Sequence, residues 1–288
     1  MNNLLHIVYI PFRGVGIDNR NDKWFRERIE IFKNYTLKSL ANQTTKDFTL
    51  WLSYRPQDRN NPLIKDISAA IHATGIAHIS TFDGLMYHDD KFGGDFFRKL
   101  KNAARVLRQC CRNNTWQDLI SSLVEIGNDK NKTLPQRLKH SLEILQKTLD
   151  TSGIILLTRI DSDDMLHKDV IDTLQKLSNP VMCMDAGYIY NTTTRQLAEW
   201  NPTTNPPFYT LRFIGTEFFD ARLHLMSYGP NFRSHEDIGK LAFRHTFRKR
   251  LYCVTAHNPK NHISTIWNHP FRGRSVDITT LADFGIRP

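Results

Sequence analysis

The stretch Ile154-Ile-Leu-Leu-Thr-Arg-Ile-Asp161-Ser-Asp163-Asp164-Met165 decides how the rest of the chain is interpreted. It opens with branched apolar residues that show no alternation. Such a run predicts a strand buried on both faces, as in a sheet covered by helices. The strand then ends abruptly in three carboxylates within four positions.

These carboxylates indicate a cation site. Asp161, Asp163 and Asp164 would repel one another, so we expect the fold to need a cation beside them. Open α/β folds bind ligands at the carboxyl ends of their strands. Mg²⁺ commonly takes one or two carboxylates together with substrate phosphates. The stretch therefore predicts a metal–diphosphate site; a solvated acidic turn that caps the next helix is the simpler alternative.

The segments before this stretch alternate between strand and helix patterns. A strand that ends at Pro11 precedes a helix that Asp22 can cap, and two further strands flank a helix that starts at Pro62. After the acidic residues, Val181-Met-Cys-Met predicts another strand and residues 188–200 predict a hairpin. Strand–helix–strand order is typical of a parallel sheet, so the fold class is α/β.

Composition indicates an ordinary globular protein. The chain has 288 residues, of which 40% are hydrophobic and 24% charged. No apolar run is long enough to span a bilayer. The N-terminal residues Met1-Asn-Asn-Leu-Leu-His-Ile lack the basic region of a signal peptide. We expect a cytoplasmic protein with reduced cysteines.

The net charge of +10 indicates an anionic partner. No zinc finger or RNP-type motif is present in the sequence, so we expect no nucleic acid. One basic cluster is interleaved with aromatic residues and can be either a solvated helix face or a peripheral contact with anionic inner-leaflet lipid. Its members are Phe243, Arg244, Phe247, Arg248, Lys249 and Arg250.

Three segments resemble known enzymes. Arg159-x-Asp161-x-Asp163-Asp164, placed after an apolar strand, resembles the Asp-x-Asp signature of GT-A glycosyltransferases. Two other segments are similar to the rhamnosyltransferase family of bacterial surface polysaccharide synthesis. These are Glu30-Ile-Phe32…Tyr35-Thr-Leu-Lys-Ser39-Leu…Gln43 and His257-Asn-Pro-Lys-Asn261-His262-Ile-Ser264-Thr265.

The resemblance implies a fold and an activity. The fold would be GT-A type, Rossmann-like, with a mostly parallel sheet flanked by helices and a small antiparallel addition. Residues 1–288 would form one domain, with nucleotide binding in about 1–165 and acceptor binding in about 166–288. The enzyme would move a sugar, rhamnose, from a nucleotide-diphosphate sugar to a carbohydrate or lipid-linked glycan, with inversion.

The resemblance also implies site residues. Asp163 and Asp164 would hold Mn²⁺ or Mg²⁺, and Asp161 would hold the ribose or the metal. Arg159 would orient the carboxylates or contact the nucleotide. Either His257 or His262 would complete the metal shell, because the spacing leaves open which one aligns. Two loops at the carboxyl ends of strands would contact the nucleotide through Pro11, Arg13 and Asp83.

The pair Glu236-Asp237 has two interpretations. In Ser234-His235-Glu236-Asp237, the acidic residues suit the first turn of a helix capped by Ser234. In inverting GT-A enzymes, a carboxylate at such a helix start often removes the proton from the acceptor hydroxyl. We expect Asp237, ahead of Glu236, to be that base.

Two other classes of protein compete with a glycosyltransferase. Paired carboxylates and a basic surface also suit a metal-dependent phosphatase or nuclease. A haloacid-dehalogenase-type phosphatase would, however, carry its Asp-x-Asp on the first strand, whereas Asp161 lies mid-chain. The other alternative is a non-catalytic carbohydrate- or membrane-binding protein on a GT-A fold.

Overall fold

The computed structural model describes most of the chain. Isolated positions at 100, 103–104, 107–108, 111, 120, 123 and 238 are also described. The continuous parts are residues 3–12, 22–54, 56–82, 134–202, 208–220, 244–247, 249–257 and 272–287.

A seven-stranded sheet forms the centre of the described protein, in the order β10-β6-β9-β4-β1-β2-β3. The strands β3, β2, β1 and β4 run parallel, and β9 pairs antiparallel with both β4 and β6. The strands of this sheet are β1 (Leu4–Pro11), β2 (Thr49–Ser53), β3 (Ala77–Thr81), β4 (Ile154–Arg159), β6 (Val181–Met184), β9 (Tyr209–Ile214) and β10 (Arg244–Phe247).

The helices connect the parallel strands, as the alternating pattern predicts. Helix α1 continues through a turn of π-helix, Phe32–Thr36, into α2, and the three pieces together link β1 to β2. The α-helices are α1 (Asp22–Ile31), α2 (Leu37–Ala41), α3 (Leu63–His72), α4 (Leu134–Thr148) and α5 (Val170–Gln175). The mixed α/β class with a central, mostly parallel sheet is confirmed.

Alternate residues of β1 point to opposite faces of the sheet, and each face is covered by a hydrophobic cluster. Val8 and Ile10 point into a cluster with the residues of α1 and α3, whereas Ile7 and Tyr9 point into a second cluster that includes Leu142 of α4. The strand β4 is buried along nearly its whole length, as its unbroken apolar run predicts. Burial on both faces holds the end of β4 rigidly in the sheet.

A second sheet of five strands, in the order β12-β8-β7-β11-β5, packs beside the acidic residues. Its pairing is antiparallel except between β7 and β11. A third core cluster joins this sheet to the C-terminal 3-10 helix, Ile278–Phe284. The strands are β5 (Met165–Leu166), β7 (Gly187–Asn191), β8 (Gln196–Trp200), β11 (Tyr252–Ala256) and β12 (Arg272–Val276). This sheet includes the predicted hairpin.

One of the two interpretations of the basic cluster is wrong. The basic cluster is not a helix face, because Arg244–Phe247 forms the strand β10 at the end of the central sheet.

Two members of the basic cluster bind within the protein. The Arg250 guanidinium donates to the carbonyl oxygens of Gly187 and Trp200, at 2.8 and 3.1 Å, and Lys249 pairs with Asp169. Arg248 lies outside the described residues. Contact with anionic lipid stays a prediction.

Within the described part of the chain, no helix combines the length and apolarity needed to cross a bilayer.

Two glycines with the same backbone conformation provide a stability test. Gly285 and Gly75 both have φ of +74°, but a methyl group on Gly285 would lie 2.7 Å from the carbonyl oxygen of Lys38, whereas Gly75 has open space. Replacing either by alanine should cost about 1 kcal/mol of strain. Gly285→Ala should cost at least about 1 kcal/mol more through overpacking. Urea unfolding measures both, and equal losses would contradict the close approach of the C-terminal segment to α2.

Candidate active site

The acidic turn, defined as Asp161–Asp164, lies at the carboxyl edge of the parallel strands. Because β1, β2, β3 and β4 are parallel, their carboxyl ends meet at one edge of the sheet. The amide of Ile160 donates to the carbonyl oxygen of Tyr9 at 3.1 Å, which extends the pairing of β4 with β1 up to the turn. This is the position at which open α/β folds bind ligands.

The first carboxylate of the turn is held by the arginine at the end of β4. The Arg159 side chain is buried, and its Nη2 donates to Asp161 Oδ1 at 2.8 Å. The Asp161 side chain remains 31% exposed. Arg159 therefore orients this carboxylate and leaves part of it accessible to a ligand.

The second carboxylate binds an arginine from the first helix. Arg28 Nη1 and Nη2 donate to Asp163 Oδ2 and Oδ1 at 2.6 and 2.7 Å, and Arg28 Nε donates to Ser162 Oγ at 2.9 Å. The Arg28 guanidinium also lies 5.7 Å from the centre of the Trp24 ring. A bidentate fork of this kind fixes both partners in orientation as well as distance.

Arg28 is a site residue that the sequence analysis missed. A usable signal was the helical phase of α1, whose buried face carries Phe25, Ile29 and Phe32. Arg28 lies three residues after Phe25 and four before Phe32, at the margin of that face, whereas Arg26 is exposed. An arginine at the margin of a buried face is a candidate partner for a buried carboxylate.

The third carboxylate, that of Asp164, has the least favourable electrostatic environment of the three. Asp164 is buried, and its Oδ1 accepts a hydrogen bond from the Thr255 amide at 3.1 Å. No ion pair to Asp164 is formed among the described residues. Burial, followed by the charges of Asp163 and Asp161, raises the pKa of Asp164 well above its usual range. Burial also raises the pKa of Asp163, although the Arg28 charge opposes the shift.

His257 joins the acidic turn through Thr255, which lies on β11. The Thr255 hydroxyl donates to the carbonyl oxygen of Asp163 and lies 2.6 Å from His257 Nε2. A second hydroxyl, Thr192 Oγ1, lies 3.1 Å from His257 Nδ1. Burial, with a smaller effect of the Arg28 charge, lowers the pKa of His257 to about 3, so the ring is neutral. A neutral ring has one N–H and can donate to only one of the two hydroxyls, because Thr255 and Thr192 each donate their own proton to a carbonyl oxygen, that of Asp163 and that of Ala256.

The donor set suits a hard divalent cation only in part. Among the described residues, no three His, Cys, Asp or Glu side chains are arranged to hold a metal ion. Arg28 and Arg159 instead neutralise two of the three carboxylates, those of Asp163 and Asp161. The carboxylate oxygens remain suitable ligands, because Asp164 lacks a contacting cation in the described chain and Asp161 is partly exposed.

The other predicted residues divide into two groups. Pro11 ends β1 at the same edge of the sheet, paired in register with Ser53. The remaining residues lie outside the described part, so their roles stay predictions; they are Arg13, Asp83, Glu236, Asp237 and His262.

Comparison with protein families supports a glycosyltransferase. Residues 20–82 match the model of a family described as "Putative rhamnosyl transferase". The matched segment is a minority of the chain; it contains Arg28 but not the acidic turn. A search of curated proteins finds no match.

Thr255 supplies a test of the site's internal bonding. Thr255→Val preserves shape but removes the hydroxyl that contacts both His257 and the carbonyl oxygen of Asp163. A buried polar group left without its partner costs about 1–3 kcal/mol, so the free energy of unfolding in urea should fall by that amount. Thr255→Ser keeps the hydroxyl and should lose about 1 kcal/mol or less, for one buried methyl group. Wild-type stability of Thr255→Val would contradict this bonding scheme.

Proposed function

We propose that this protein is a metal-dependent glycosyltransferase of GT-A type. It transfers a sugar, rhamnose, from a nucleotide-diphosphate sugar to a carbohydrate or lipid-linked glycan acceptor, with inversion. One observation carries the proposal: the acidic turn at the carboxyl edge of the sheet is bound directly by Arg28, which belongs to the segment that matches a rhamnosyl transferase family.

The acidic turn would supply the metal ligands. Asp163 and Asp164 would hold Mn²⁺ or Mg²⁺, with Asp161 on the metal or the ribose. When bound, the cation supplies charge that stabilises the departing diphosphate. Arg159 keeps Asp161 oriented, and Thr255 keeps Asp164 oriented through its amide. The chain therefore fixes the carboxylates in advance, which lowers the entropic cost of binding the donor.

The catalytic base must be a different carboxylate. An inverting transfer needs a base on the side of the sugar C1 opposite the diphosphate, whereas metal ligands lie with the leaving group. Asp161, Asp163 and Asp164 are excluded by that requirement. We assign the base to Asp237, with Glu236 as the alternative, because the sequence predicts a helix start there and a helix N-terminus keeps a carboxylate ionised.

Nucleotide binding tests the metal ligands. Asp164→Asn retains an oxygen for the Thr255 amide but removes the charge, so metal-dependent binding of a nucleoside diphosphate should weaken at least tenfold. Calorimetry with UDP, GDP and dTDP, each with and without Mn²⁺, measures the change. Asp172→Asn is the matched control, since Asp172 pairs with Lys176 on the surface of α5. Unchanged affinity in Asp164→Asn would contradict a metal site here.

Turnover tests the catalytic base. Asp237→Asn should lower the transfer rate by about 10²–10⁴-fold, the usual contribution of general base catalysis, and leave donor binding intact. Glu236→Gln should have a smaller effect. The proposal for this pair fails if both single variants turn over at near-normal rates.

A further inference from the structure

We propose that Arg28 is an exchangeable counter-ion of the acidic turn: it occupies Asp163 in the ligand-free protein and passes to the donor diphosphate when the metal binds. This inference rests on the proposed function and assigns a regulatory role to a residue of the same site. The bidentate contact of Arg28 with Asp163 motivates it.

Arg28 and a divalent cation compete for the same atoms. Both carboxylate oxygens of Asp163 accept from the guanidinium, at 2.6 and 2.7 Å. A hard cation would take those oxygens at about 2.0–2.6 Å. Two positive groups within a few ångströms repel each other strongly where solvent is largely excluded. Metal binding at Asp163 therefore requires that Arg28 move.

Arg28 can move without being left unpaired. The guanidinium fork that matches a carboxylate also matches a phosphate in bidentate geometry. The side chain is 14% exposed, so it reaches the solvent side of the turn. It also contacts Ser162 Oγ and the Trp24 ring, so it has partners other than Asp163. A diphosphate arriving with the metal would replace the carboxylate as the partner of Arg28.

This exchange makes metal and nucleotide binding cooperative. Metal alone must displace Arg28 into solvent, so its affinity for the free protein is low. When a nucleoside diphosphate is present, it binds both the metal and the released guanidinium. By linkage, each ligand then strengthens the other by the same factor. Removing Arg28 should raise the affinity for metal alone and reduce the coupling.

Mn²⁺ titration tests the exchange without a measurement of activity. We expect Arg28→Gln to bind Mn²⁺ alone at least tenfold more tightly than wild type, and UDP or dTDP to enhance that binding less than in wild type. Arg28→Lys keeps a charge but not the fork, so its Mn²⁺ affinity should fall between the two. The matched control is Arg26→Gln, on the exposed side of α1, which should behave as wild type.

If a variant folds too poorly for titration, thermal unfolding with and without Mn²⁺ tests the exchange instead. Because Arg28→Gln leaves Asp163 without its cation, Mn²⁺ should raise its melting temperature more than that of wild type. Wild-type Mn²⁺ affinity in both Arg28 variants would overturn the exchange and leave the proposed function standing. If no variant binds Mn²⁺, with or without a nucleoside diphosphate, both proposals fail.

Discussion

The site depends on the neutralisation of buried carboxylates. Three aspartates follow one strand within four positions, and the chain brings Arg28 to the middle one across 135 residues of sequence. Removal of one partner from a buried pair costs about 3–5 kcal/mol, because the other charge stays buried. The bidentate geometry therefore fixes α1 against the end of β4. The Arg28–Asp163 contact therefore both neutralises one carboxylate of the acidic turn and positions the first helix.

The sheet places this contact at a change of strand direction. On one side of β4 lies parallel β1, and on the other lies antiparallel β9. The carboxyl edge of the parallel half thus ends at β4, where the second sheet approaches through Thr255 of β11. A helix covers the acidic turn from one side and a strand from the other. The carboxyl ends of the strands, where the turn lies, are where open α/β sheets bind ligands.

Local sequence pattern predicted the strands and helices well, because apolar periodicity is a local property. The continuous run before Asp161 predicted a strand buried on both faces, and β4 is one. What failed depended on distant partners. The strand β10, for example, has a basic composition that also suits a helix face. The Arg28 contact needs the docking angle of α1, which periodicity does not supply.

Stability alone is a poor explanation for the acidic turn. Arg28 and Arg159 neutralise two carboxylates, yet Asp164 is buried with no contacting cation among the described residues, and its pKa is raised accordingly. An apolar residue there would avoid that cost. A third carboxylate, held by a backbone amide beside Arg28, would serve the cation of the proposed function. A buried carboxylate retained at such a cost is typical of a functional site.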